Sequence, residues 1–365
     1  MATTAIKGPR DLQKNVLTKG LCLMCGACTK LCPYIDMVYG KGAVIIEDCG
    51  LSEGKCYNFC PRTHIDVPSL DTHVFGHPRK DPTLGVYTSI MKARAKNSAI
   101  RSNCQYGGVV STLVAFALEN GVIDAAVLAS SRDRLSAEPK VVRSKAEVLE
   151  CAGSKYVVCP TVEGVVEAIS QENTRLGVVG TPCQITAIRK MQTSKFENNA
   201  DRVELLIGLF CTWALTPKAK NYILEKIGSP RILKVDVPPP PANIFVVQTE
   251  KGKCEISLDE IRRFIMPSCN VCFDMTNEFA DISVGTVEGE EDWNTVIVRT
   301  TVGEKLFKKA VEAGEIEIGQ LEKERLNHLY EASLNRKRRT LKEIESKGTP
   351  YLTISEEDKA AILSQ

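Results

Sequence analysis

The sequence predicts an α/β core, with a mostly parallel or mixed sheet and flanking helices, preceded by a small cysteine-rich α+β module. Three observations carry that prediction. Seven of the 15 cysteines fall between Cys22 and Cys60. From residue 87 short apolar runs alternate with longer helical patterns, as in a sheet built through crossover helices. The 365 residues, 43% hydrophobic and 25% charged, can build a sizeable core in about two or three domains.

Residues 1–68 form the cysteine-rich module, with a short hairpin expected at 43–47. Residues 69–86, with Pro78, Pro82 and several histidines, read as a surface linker. The core spans 87–320. Within it a helix is expected at 107–120, a buried strand at 124–130, a short strand at 156–158 and a helix at 161–170. Strands at 176–180 and 204–210 flank a helix beginning near 185, and a further helix covers 218–227. Prolines 238–241 form a stiff extended loop between strand-like stretches at 232–237 and 244–249. Strands at 280–284 and 295–299 precede an amphipathic helix at 303–313. The segment 321–365, dense in Lys, Arg and Glu, reads as a solvated helical tail, with partner docking as the sharper alternative.

A net charge of +2 marks no nucleic-acid or anionic-membrane binder, so any anion site must be local. Residues 1–15 contain no apolar signal core. The longest apolar stretches, 107–118 and 205–215, are too short to span a bilayer. The expectation is a soluble, cytoplasmic protein without a membrane span, whose cysteines serve metal or redox chemistry rather than disulfides.

The first cysteine run, Cys22-x2-Cys25-x2-Cys28-x3-Cys32-Pro33, has the spacing of a bacterial ferredoxin, and Cys49-x6-Cys56-x3-Cys60-Pro61 supplies return ligands. Cys22, Cys25, Cys28 and Cys60 complete one 4Fe-4S cluster. Cys32, Cys49 and Cys56 are one thiolate short of a second. Three readings follow: a 3Fe-4S cluster, a 4Fe-4S cluster borrowing a ligand such as Asp48, Glu53 or His64, or three cysteines that pack as small apolar groups. An occupied second site is favoured.

Four more cysteines are scattered. Cys183 and Cys211 follow expected strands, where ligand crevices form in open α/β sheets, and Cys269-x2-Cys272 could close a tetrahedral set. Buried apolar cysteine is the rival reading, and it suits Cys104, Cys151, Cys159 and Cys254 better. Gly107-Gly108, ahead of Ser111, could cradle a phosphate at a helix N-terminus or simply allow close packing of that helix start. No Walker, G-x-G-x-x-G or G-x-S-x-G motif is present.

The segments 106–112, 152–156, 181–184 with 188–193, Phe210-Cys211, Cys269-x2-Cys272-x-Asp274, 280–285 and 292–300 together resemble the beta subunit of the coenzyme F420-reducing hydrogenase and its relatives. That resemblance implies FAD and a 4Fe-4S cluster in the core, exchanging electrons with coenzyme F420. It implies that Cys183, Cys211, Cys269 and Cys272 hold the cluster, and that Gly107, Gly108, Ser111, Lys155 and Tyr156 lie at the flavin. The hydrogenase subunit lacks the N-terminal cysteine module. Relatives that carry one include an input subunit of respiratory complexes that oxidises the reduced coenzyme, and the front half of a coenzyme F420-dependent sulfite reductase. A plant branch reduces a chlorophyll derivative, so membership alone does not fix the substrate.

The implied route runs from deazaflavin through FAD and the core cluster to the N-terminal clusters. It ends at a partner subunit: a hydrogenase, formate dehydrogenase, heterodisulfide reductase or similar enzyme. The coenzyme's anionic tail calls for a basic rim, for which Lys155, Arg189, Lys190, Arg262, Arg263 and Arg299 are candidates. The alternatives are a ferredoxin-linked flavoprotein and a pure electron relay that does not use coenzyme F420.

Overall fold

The computed structural model describes residues 7–170, 175–239, 241–348 and 351–364. Residues 1–6 of the lead-in and Pro240 of the proline run lie outside these. Helix α1 (Pro9–Leu12) begins on a proline, and the Asp11 carboxylate accepts the Gly8 N–H at 3.0 Å. It runs into a π-helical turn that buries Val16. The hairpin lies earlier than 43–47: β1 (Ile35–Val38) and β2 (Gly42–Ile45) pair antiparallel, Ile35 opposite Ile45. Gly40 and Gly42, at φ +81° and +99°, supply the turn that fixes this register.

Helix α2 (Lys55–Phe59) buries Phe59 completely. After β3 (Ile65–Asp66) comes α3 (Val67–Phe75), inside the stretch expected to be a linker. Pro68 sits in its first turn, where a missing N–H has no partner to lose. Asp66 caps that turn, accepting from Ser69 N at 3.0 Å.

The central sheet gathers β4 (Ser89–Ala95), β5 (Ala125–Ser130), β6 (Glu138–Val142), β7 (Leu176–Gly180) and β8 (Val203–Leu209) with β12 (Ile282–Val287), β13 (Glu290–Val298) and β14 (Ile316–Gly319). Its order is β14-β4-β13-β12-β8-β7-β5-β6. The inner strands β5, β7, β8 and β12 are parallel, and β6, β13, β4 and β14 add antiparallel pairs outside them. The mixed-sheet expectation is therefore met. β7 is buried along its whole length, as a central parallel strand must be.

Between these strands lie α4 (Ser98–Asn103), α5 (Val109–Glu119), α6 (Lys145–Glu150), α7 (Thr161–Ile169) and α8 (Pro182–Gln192). Helix α9 (Lys218–Ile227) leads to a separate antiparallel sheet of β9 (Ile232–Asp236), β10 (Ile244–Thr249) and β11 (Gly252–Ser257), closed by α10 (Leu258–Arg262). That sheet rests on Leu215, Ala219 and Ile223. The strand expected at 156–158 is a single bridge, Val157 to Leu215.

Helices α5 and α11 (Thr301–Glu312) pack Leu113, Phe116 and Leu306 against Ile207, Ile282 and Val296 of the sheet. A second large apolar cluster joins Ile185, Ile188 and Met191 of α8 to Val178 and Leu206, and continues into Leu12, Phe59 and Leu70. The N-terminal module and the core thus share one hydrophobic interior.

The charged tail is not a solvated arm. Helix α12 (Lys323–Lys347) buries Ser333, Lys337 and Thr340 completely, and Arg336 nearly so, against the chain's own core. β15 (Leu352–Thr353) then pairs in parallel with β3, and α13 (Glu356–Ser364) follows. Among the described residues no helix is long and apolar enough to cross a membrane.

Candidate functional site

The parallel strands deliver two cysteines to the carboxyl edge of the sheet. β7 ends at Gly180, and Thr181 opens α8 with a capping box, Thr181 N donating to Gln184 Oε1 at 2.8 Å. This sets Cys183 in the first turn, with its Sγ 3.3 Å from Thr181 Oγ1. Cys211 lies just past β8, and Cys269 and Cys272 sit on or beside the 3-10 turn Pro267–Val271.

Ala214 N donates to Cys269 Sγ at 3.4 Å. Burial pushes the Cys183 thiol up to about 12, and the neighbouring Cys272 and Cys269 add to the effect. Cys211 is raised well above the ordinary thiol value by burial and by Cys269, Cys183 and Cys272. The four cysteines are thus mutual neighbours, and Arg62 and Arg336 each leave a buried Nε without a partner. Four sulfurs beside cationic groups could hold an iron–sulfur cluster, which is anionic when ligated by thiolates. Among the described residues no three His, Cys, Asp or Glu side chains stand close enough to hold a single metal ion.

Cys22, Cys25, Cys28 and Cys60 line a small apolar cavity with Leu12, Val16, Pro61 and Arg62. Backbone amides point at the sulfurs: Met24 N and Ala43 N donate to Cys22 Sγ at 3.4 and 3.5 Å, and Arg62 N to Cys60 Sγ at 3.4 Å. A Cβ on Gly42 would lie 2.9 Å from Cys22 Sγ, so glycine is required there. Burial raises Cys25 and Cys28 well above the usual thiol range, with Cys60 next. Cys25 also feels Cys183, so the two thiol sets adjoin.

Cys56 is pushed up to about 11, first by burial and also by Cys32 and Cys49, which places these three cysteines together. The oxygen and nitrogen groups considered as a fourth ligand are engaged elsewhere. Asp48 pairs with Arg10 at 2.5 Å, Glu53 with Lys195 at 2.8 Å, and His64 Nε2 lies 2.8 Å from Thr353 Oγ1.

The five residues expected at a flavin gather around the start of α5. Gly108 adopts φ +72° at the N-cap. A Cβ on Gly107 would stand 2.8 Å from Asn294 Oδ1 and 3.0 Å from the Ala93 carbonyl, so Gly107 lets the helix start close onto β4 and β13. Asn294 Oδ1 takes the first helical amide, Val109 N, at 3.2 Å. Ser111 Oγ accepts from the Cys104 thiol at 3.2 Å. Lys155 Nζ donates to the carbonyls of Cys151, Ala152 and Gly153. Burial brings it down to about 8.

Tyr156 OH donates to Asp236 Oδ1 at 3.1 Å, and Gln105 donates to the same carboxylate. Gln105 Oε1 is buried without a partner, a free acceptor for a bound ring or amide. The Tyr156 ring lies 6.1 Å from that of Trp213, two residues beyond Cys211, so this cluster of side chains borders the core thiols. Asp236, Gln105 and Trp213 escaped sequence reasoning; their signal was proximity in the fold.

The expected basic rim does not form. Arg299 is 2% exposed and hydrogen-bonds Ser283, Thr276 and the carbonyls of Leu84 and Val86. Arg189 pairs with Asp281 at 3.0 Å, and Lys190 holds the Cys60 and His64 carbonyls. Arg262 pairs with Asp259, Arg263 covers the Tyr222 ring, and Lys155 is spent on carbonyls.

A cavity of about 360 Å³ lies instead where β5 ends, lined by Arg132, Arg134, Lys220 and Arg231 with Asp133 and Ser131. Ser131 Oγ is buried and unpartnered. Arg134 donates to the Ala152 carbonyl at 3.0 Å, tying the cavity to the Lys155 loop. The run Ser131-Arg132-Asp133-Arg134 directly after an apolar strand was the available signal.

Behind the core thiols lies a buried ionic network. Arg79 bridges Asp71 and Glu278, and Lys337 pairs with Glu278. Burial, then Glu278, raises Asp274 to about 6. Helix α12 also reaches the thiol loops, since Arg336 donates to the Thr212 carbonyl and Thr340 Oγ1 to the Cys272 carbonyl at 2.8 Å.

With this geometry in place, comparison with known proteins is informative. The family described as coenzyme F420 hydrogenase/dehydrogenase, beta subunit, matches residues 90–165 with its N-terminal part and 173–324 with its C-terminal part. The coenzyme F420 hydrogenase subunit beta of Methanothermobacter thermautotrophicus is 34% identical over 282 residues, covering 73% of this chain and 99% of its own. The corresponding protein of Methanococcus voltae is 33% identical, covering 71% and 95% respectively. A chain from the F420-reducing NiFe hydrogenase complex of Methanosarcina barkeri superposes with a TM-score of 0.67 at 29% identity, covering 73% of this chain and 94% of that one.

Proposed function

The chain belongs to the coenzyme F420 hydrogenase/dehydrogenase beta-subunit family, and we propose that it is a flavin and iron–sulfur subunit that exchanges electrons with coenzyme F420 inside a larger redox complex. The observation that carries the reading is the convergence of Cys183, Cys211, Cys269 and Cys272 at the sheet's carboxyl edge, next to the Gln105–Asp236–Tyr156 group. FAD bound there would accept a hydride as an electron pair and release electrons singly to the cluster, which is why such an enzyme needs both groups.

The chain's own residues do the positioning. Gly107 and Gly108 set the start of α5 close to the sheet. Tyr156 and Asp236 form one wall, and Gln105 Oε1 offers an acceptor. Lys155 orders the loop 151–153 by holding its carbonyls. In the cavity after β5, where Lys220 is paired with Asp133 and Arg132 with Glu138, Arg231 supplies the positive charge that an anionic coenzyme tail requires. Cys22, Cys25, Cys28 and Cys60 would hold a second cluster, and Cys32, Cys49 and Cys56 a third, on the way to a partner such as a hydrogenase.

The test is turnover by the purified, flavin-replete chain with a one-electron dye as acceptor. Oxidation of reduced coenzyme F420, with NADH and NADPH poor by comparison, is the expected result. Vigorous NADH oxidation, or no turnover of the deazaflavin, would move the assignment to a ferredoxin-linked flavoprotein.

A further inference from the structure

Arg62 stands between the two thiol sets. Its backbone N–H donates to Cys60 Sγ at 3.4 Å. The residue lines the cavity of Cys22, Cys25, Cys28 and Cys60, and its guanidinium donates from Nη1 to the Pro61 carbonyl at 3.1 Å and from Nη2 to the Ser268 carbonyl at 3.2 Å, next to Cys269. The residue is 4% exposed, and Nε has no partner. The Tyr351 ring covers the outer face, 5.7 Å away.

A guanidinium is costly to bury unless an anion faces it. Among the described residues no carboxylate lies within ion-pair distance of this one, and its Nη atoms meet only the carbonyls of Pro61 and Ser268. By contrast, Arg79, equally buried, is matched by Asp71 and Glu278. Arg62 is therefore built for an anion that arises only when the cysteines are ligated as thiolates, and it touches both sets.

We propose that Arg62 is the shared cation of the core and N-terminal iron–sulfur centres, raising both reduction potentials and linking them through its N–H groups. This rests on the cluster assignment above. The transfer it serves moves one electron between the centres, with no bond made or broken, and Arg62 keeps its proton throughout. It is a positioning residue, neither a ligand nor a proton donor.

The experiment is an EPR-monitored redox titration of the anaerobically reconstituted full-length chain, with Arg62→Gln and Arg62→Lys beside wild type. Loss of the positive charge should shift both midpoint potentials to more negative values in Arg62→Gln. Arg62→Lys, which keeps the charge, should lie between wild type and the glutamine variant at both. Unchanged potentials with both clusters present, or a shift at one cluster alone, would overturn the proposal. If the glutamine variant fails to take up iron, the lysine variant decides. Full iron content with both potentials shifted modestly below wild type sustains the shared-cation role, whereas unchanged potentials or loss of iron make Arg62 a scaffold residue. Wild-type protein lacking either cluster would instead refute the cluster assignment itself.

Discussion

Lys337 Nζ lies 2.6 Å from Glu278 Oε1, with the lysine side chain wholly out of solvent and the glutamate 1% exposed. A cation from the C-terminal helix is thus matched inside the core by a carboxylate six residues beyond Cys272. Arg79, from the segment before β4, meets the same carboxylate.

Removing the shared anion leaves two buried cations short of a partner. Glu278→Gln is expected to destabilise the protein by about 3–5 kcal/mol, the usual result of breaking a buried pair. Glu278→Gln with Lys337→Met should cost clearly less than the sum of the single changes. Denaturant unfolding of the three variants measures this, and simple additivity would show that the pair is not coupled.

Cys183→Ser and Cys272→Ser should each abolish the core cluster, lowering iron content and visible absorption and destabilising the surrounding loops, because ligation contributes folding free energy. Cys254→Ser, on β11 opposite Val247, should keep full iron. Iron analysis with visible spectra distinguishes these cases, and unchanged iron in all three would exclude the four-cysteine site.

Arg231→Gln should raise the Michaelis constant for reduced coenzyme F420 by roughly three- to tenfold, the scale of one partly exposed charge contact. Turnover with dye should change little, since the contact is made equally in ground and transition states. Added salt should mimic the variant in wild type and have less effect on it. A fall in turnover without a change in the Michaelis constant would remove the coenzyme tail from this cavity.

The Lys155 loop should respond to alkaline pH. The folded lysine, desolvated by burial, gives up its proton near 8, whereas an exposed lysine holds it to about 10.4. Between those values an opened loop binds more protons than a closed one. Closure is therefore favoured as pH rises across the window, and the penalty for the buried charge is in full force below it. Hydrogen-exchange protection of amides 152–156, corrected for intrinsic rates, should rise over that range in wild type. In Lys155→Met it should stay flat, and a slope retained there would assign the effect to another group.

The parallel strands were legible because their apolar runs are unbroken, and Cys183 and Cys211 because cysteines at strand ends converge. The edge strand β14 and its neighbour β4 were not. Arg94 and Glu317, which pair across them at 2.9 Å, look like surface charges in sequence. Helix α3 was hidden because Pro68, a residue that would break a helix interior, sits in its first turn. The burial of α12 was illegible because charged residues enter a core only with partners, and Glu278 and Thr212 lie far away in the chain. The basic rim failed for the same reason in reverse: Arg189, Lys190 and Arg299 look free in sequence, yet each already has a partner. The boundary at residue 68 follows the cysteine spacing, while the packing of Leu12 and Phe59 with Ile188 runs across it.

The contacts of Arg336 and Thr340 with the Cys211 and Cys272 loops, and of Tyr351 with Arg62, come from the last tenth of the chain. During synthesis α12 leaves the ribosome after all four core thiols. A cluster taken up before that helix packs would then be covered by it and shielded from dissolved oxygen, so the order of translation would also set an order of assembly.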